Sequence, residues 1–107
     1  MPQFKLPFKL GGQYENWEFD LEPIFIDRIK GYDSYIYLKE ITVLDVIPKK
    51  VELIFNLDIL SAVILQFNRK DFNKLHMLEK IGFTKKDYYF FYCNINIHST
   101  IYNSLLC

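Results

Sequence analysis

The chain has 107 residues, with 13 Lys and Arg against 13 Asp and Glu, so its formal charge is zero. That length allows one domain, and a composition that is 50% hydrophobic and 18% aromatic excludes an intrinsically disordered chain. Zero net charge excludes the uniformly cationic body of a general nucleic-acid binder.

In chain order, Phe4 to Leu10 alternates apolar residues around Lys5 and Lys9, with Pro7 limiting it to an edge strand. Gly11-Gly12 then turns the chain. Trp17 to Leu21 alternates apolar and acidic residues, as a half-buried strand does, and places Glu18, Asp20 and Glu22 on one face. Pro23 breaks this strand before Ile24 to Ile29, and Gly31 to Ser34 is a turn. Tyr35 to Ile47 is rich in β-branched and aromatic residues, Pro48 to Lys50 closes it, and Val51 to Leu57 pairs with it as a hairpin.

Ile59 to Phe67 is apolar without a clear period. With no turn signal before it and Asp58 available as N-cap, the expectation is a short helix. Asp71 to Ile81 carries a stripe of Phe72, Leu75, Leu78 and Ile81 with Asp71 as N-cap and Gly82 as C′ glycine, which predicts a second helix. Tyr88 to Ile97 reads as a central strand, apolar on both faces at first. The predicted fold is therefore α+β: a mostly antiparallel sheet of about five or six strands, with one or two helices (about 58–68 and 71–81) packed on one face.

The first residues lack an apolar run of signal-peptide length. The uncharged stretch from Tyr88 to Cys107 is interrupted by Asn94, Asn96, His98, Ser99, Thr100, Asn103 and Ser104, which argues against a membrane span. Two cysteines, Cys93 and Cys107, make neither a disulfide framework nor a zinc site, and reduced thiols in a cytoplasmic protein are expected. Gly-rich phosphate loops, HExxH and GxSxG are absent from the sequence. Cys93 and His98 are five residues apart, on opposite faces of a regular strand, so no Cys–His nucleophile pair is expected. The reading is a binding protein rather than an enzyme, with no cofactor and no metal.

The run Ile64-Leu65-Gln66-Phe67, then Leu78 to Phe83 and Tyr88-Tyr89-Phe90, resembles the end of a GCN5-related N-acetyltransferase, where a helix closes on a glycine and a further strand follows. The resemblance covers about a quarter of the chain. It implies a reduced acetyltransferase-like domain, but the family's pyrophosphate-binding loop has no counterpart here. Asp71 and Lys74 also stand where that family commonly has Asn and Ala.

The zero charge conceals a separation. Tyr14 to Asp33 holds six acids and two bases, a net of −4, whereas Arg69 to Lys86 holds six bases and two acids, a net of +4. The acidic segment offers Tyr14, Glu15, Trp17, Glu18, Asp20, Glu22, Asp27 and Asp33 as a surface for a basic protein. Its most specific form is a bacterial immunity protein or antitoxin-type inhibitor that neutralises a nuclease toxin. The alternative is single-stranded nucleic-acid binding through Arg69, Lys70, Lys74, Lys80, Lys85 and Lys86, with stacking on Tyr88 or Tyr92. An aromatic-rich domain of this size also has the composition for self-association.

Overall fold

A computed structural model describes residues 6–105. Its centre is an antiparallel sheet of six strands: β1 (Leu21–Pro23), β2 (Asp33–Tyr37), β3 (Lys50–Asn56), β4 (Ile59–Gln66), β5 (Thr84–Lys86) and β6 (Tyr89–Cys93). Their spatial order is β1-β2-β3-β4-β6-β5. The α+β expectation holds, and the sheet is antiparallel at every pairing.

The helix expected over 58–68 is β4, the longest strand. Six of its residues, Leu60 to Leu65, are buried, because this strand is internal and both sheet faces are covered. A strand buried on both faces has no period-2 signature, so its apolar run imitates a buried helix. The turn before it is a two-residue loop in which Leu57 and Asp58 both take positive φ, 50° and 66°. That is type I′ geometry, whose twist suits a hairpin but which normally draws Asn-Gly. Asp58 thus turns a hairpin and caps no helix.

Other boundaries moved for identifiable reasons. Trp17 to Leu21 is not a strand: two 3₁₀ turns, Tyr14–Asn16 and Glu18–Asp20, flank Trp17, and only Leu21–Pro23 joins the sheet. Pro23 is tolerated there because β1 is an edge. The strand expected to run to Ile47 stops at Tyr37. Beyond it, Val43 and Val46 exchange backbone hydrogen bonds of 2.7 and 2.9 Å across a second tight turn, with Leu44 and Asp45 at positive φ.

The 71–81 helix is a 3₁₀ stretch, Arg69–Lys74, followed by one α-turn, α1 (Met77–Lys80), and Asp71 lies inside the 3₁₀ stretch rather than capping it. Gly82 does close α1. At φ +114°, it sends its N–H to the Glu79 carbonyl (3.3 Å), and the Phe83 N–H reaches the Leu78 carbonyl (2.9 Å). These two bonds form a Schellman motif, with Phe83 and Leu78 in one apolar cluster. The strand read as Tyr88 to Ile97 ends at Cys93, and a 3₁₀ turn, Ile95–Ile97, leads into α2 (His98–Ser104). Phe4 and Lys5 of the expected first strand, and Cys107, lie outside the described residues, and residues 6–10 carry no strand.

The covering segments divide between the two sheet faces instead of packing on one. On one face, Val51, Leu53, Phe55, Val63, Leu65 and Phe90 meet Phe8 and Trp17 of an N-terminal strap (residues 6–17), Val43, Val46, Leu75 and Leu78. On the other face, Ile54, Ala62, Ile64 and Phe91 meet Ile29 and the Ile97, Ile101 and Leu105 side chains in and around α2. The strap joins the hairpin edge through Gly11 N–H to the Leu60 carbonyl (2.9 Å) and Leu60 N–H to the Gly12 carbonyl (2.8 Å).

Gly12 lies so close to Trp17 that a Cβ there would stand 2.6 Å from the indole and 3.0 Å from the Lys9 carbonyl. The indole is rigid and buried, so relief requires the strap to shift. Gly12→Ala is expected to lower stability by about 1–3 kcal/mol, as overpacking does, readable as a reduced urea midpoint. An unchanged midpoint would show that the strap yields freely.

Candidate functional site

The sequence-predicted acidic residues do not share one surface. Trp17 leaves the set altogether: it is 8% exposed, donates Nε1–H to the Pro7 carbonyl (3.0 Å) and packs near Phe8 and Phe55. Glu18, Asp20 and Glu22 lack the common strand face expected of them, since the first two sit in a 3₁₀ turn. Asp20 faces Lys39 at 3.5 Å, an exposed pair worth little. Asp27 lines a different cleft, together with Arg28.

Four of the predicted residues converge at one end of the molecule. The Tyr14 N–H donates to the Asp58 carbonyl (2.7 Å), which anchors the first 3₁₀ turn against the tip of the β3–β4 hairpin. Between them lies a recess of about 380 Å³ lined by Tyr14, Glu15, Glu18, Leu57, Asp58 and neighbours. Its walls carry three carboxylates and no Lys, Arg or His.

Asp33 belongs to the same end. It pairs with Phe55 in the sheet register, and it acts on Tyr35, the next residue but one. The Tyr35 hydroxyl is raised above its ordinary range, first by burial, then by Tyr14 and the Asp33 and Asp58 carboxylates. Tyr35 and Tyr14 meet with ring centroids 5.3 Å apart, and both pack edgewise on Phe55. An aromatic pair is thus held upright from the core, surrounded by Glu15, Glu18, Asp33 and Asp58.

One apolar side chain stands at this tip, and a second is exposed next to Glu18 in the chain. Leu57 is 87% exposed at the hairpin tip, and Phe19, beside Glu18, is 90% exposed. Sequence reasoning placed Phe19 on the inward face of a strand and took Asp58 for a helix cap. The missed signal was Asn56-Leu57-Asp58 between two β-rich runs, a turn without glycine.

The six bases of the alternative site do not all face one way. Lys85 and Lys86 are neighbours on β5 and project to opposite faces. Lys85 lies 5.2 Å from the Phe72 ring centroid, whereas Lys86 lies 4.4 Å over Tyr102 and donates to the Tyr102 carbonyl. Tyr92 is no stacking platform: its hydroxyl donates to the Phe8 carbonyl (2.8 Å), its ring packs on Phe83, and burial raises its pKa. Tyr88 is tilted against Phe72.

Thiol chemistry has little support. Burial pushes the Cys93 thiol up to about 11, so it stays protonated at neutral pH. The His98 Nε2 shares a hydrogen bond with Thr84 Oγ1 (2.8 Å). Among the described residues no group of three His, Cys, Asp or Glu is arranged to hold a metal ion, and no helix is long and apolar enough to cross a membrane. No family model, curated protein or solved structure matches the chain.

Proposed function

We propose that this chain is a protein-binding module that docks a basic protein partner at its acidic end. The observation that carries this reading is the exposure of Leu57 at the hairpin tip among the Glu15, Glu18 and Asp58 carboxylates, with Asp33 at the same end of the sheet. Apolar anchors provide affinity once water is excluded, and a single sign of charge around them steers a cationic partner. The most specific form is an immunity or antitoxin-type inhibitor, whose acidic end would cover the cationic active site of a nuclease toxin.

The test begins with native co-purification and identification of the bound protein by mass, followed by association kinetics with that partner. Glu15, Glu18 and Asp33 are exposed, so reversing all three to Lys leaves the core untouched. The triple variant is expected to associate at least roughly tenfold more slowly at low salt, with the wild-type rate falling as salt rises. An unchanged on-rate, or a partner that is acidic at its contact surface, would refute the reading.

A further inference from the structure

The opposite face of the sheet carries a second cleft, of about 460 Å³, independent of the acidic end. Its volume falls within the range of about 300–1,000 Å³ common for small-molecule sites. The sheet register builds its floor in two rows. Lys50, Gln66 and Tyr89 are successive partners across β3, β4 and β6, so their side chains stand side by side on one face. The next row on that face is Ile36, Glu52 and Ile64.

One row therefore offers an ammonium, an amide and a phenol, and the other offers the half-buried Ile36 beside the Glu52–Arg28 pair. Ile24 and Ile26 extend the aliphatic side. Among the described residues Lys50 makes no ion pair, and the side chains of Gln66 and Tyr89 make no hydrogen bond. Glu52 adds no repulsion to an anion, because Arg28 holds both of its oxygens at 2.7 Å. Arg28 in turn spends two further donor contacts on Ser104, at 3.1 and 3.3 Å. That ion pair forms part of the cleft wall, and Arg28 stands close enough to Tyr89 to interact with it electrostatically.

We propose that this cleft binds a small aliphatic carboxylate, its head on Lys50, Gln66 and Tyr89 and its hydrocarbon body against Ile24, Ile26 and Ile36. Asp27, exposed on the lining, is the one carboxylate there without a cation held against it. It opposes the ligand's charge and makes the proposal sharper to test.

The experiment is a titration of the full chain with hexanoate, followed by amide chemical shifts in two-dimensional NMR. Saturable shifts centred on Lys50, Gln66 and Tyr89 are expected, with hexanol binding more weakly. Lys50→Gln should weaken hexanoate by roughly tenfold or more, the scale of a lost charge-assisted hydrogen bond, and Asp27→Asn should tighten it. Both positions are exposed, and an unchanged melting temperature establishes that each variant is folded. Shifts that do not saturate, equal binding of hexanol, or an unaffected Lys50→Gln variant would each overturn the proposal.

Discussion

Glu52→Ala is expected to destabilise the protein by about 3–5 kcal/mol, the scale for removing one partner of a buried ion pair. Glu52 is 5% exposed, and its carboxylate receives both the Nε–H and an Nη2–H of Arg28. Truncation leaves the guanidinium over the apolar row of Ile36 and Ile64 with only Ser104 to satisfy it. The bond to Glu52 raises the guanidinium pKa against the opposing effect of burial, and since arginine keeps its charge in any case, the variant retains a cation without its partner. Replacing both partners, as Arg28→Met with Glu52→Leu, should recover most of the loss, because two desolvated charges are then exchanged for apolar contact. Urea unfolding of the two single variants and the double variant measures this directly. A loss under about 1 kcal/mol for Glu52→Ala would mean that water reaches the pair.

Trp17→Ala and Phe19→Ala should separate as sharply as two aromatic truncations can. Trp17→Ala is expected to cost about 3–5 kcal/mol, since it empties a buried site and frees the strap. The indole lies 6.1 Å from Phe8 and 6.0 Å from Phe55 by ring centroids, and its Nε1–H closes on Pro7. Phe19→Ala should change stability by no more than about 0.5 kcal/mol, as exposed substitutions do, while accelerating dissociation of the docked partner. Denaturant midpoints give the first comparison and dissociation rates the second. Equal stability losses for the two variants would restore the alternating strand that the sequence suggested.

That contrast shows what was legible and what was not. That β2 and β3 pair could be read from β-rich runs, although residues 38–49 connect them where the sequence suggests a tight turn at Pro48 to Lys50, and Gly82 could be read as a helix stop. The helix stop is a local feature, in which neighbouring residues decide the geometry, whereas the strand register is not. The alternation Trp17-Glu18-Phe19-Asp20-Leu21 misled because 3₁₀ turns can bury one of its aromatics and expose the other. Ile59 to Gln66 misled because internal strands lose their polar face, and because Leu57 and Asp58 adopt the left-handed turn without glycine.

The charge separation between the two chain segments was visible in the sequence, and the acids of the first segment do line surfaces. Their gathering was not visible. Glu15 and Glu18 acquire Asp58 as a neighbour only because the strap docks on a hairpin tip some forty positions further along the chain. Asp27 lies on the opposite face, beside the Arg28 that pairs with Glu52 of β3. Such assignments depend on which strand lies next to which, and a linear charge count holds no information about that.

The stitches that close the two faces have a consequence for how the chain is made. Tyr92 donates to the Phe8 carbonyl across 84 positions, and Arg28 to Ser104 across 76. The central hairpin, by contrast, needs only a two-residue loop. During synthesis the hairpin's partners emerge together, whereas each face waits for residues made many positions later. Until Ser104 has left the ribosome, Arg28 lacks its third anchor and α2 is incomplete, so Ile54, Ile64 and Phe91 face solvent. Assembly of this domain therefore includes the closure of two long loops, an entropic cost that no local element carries.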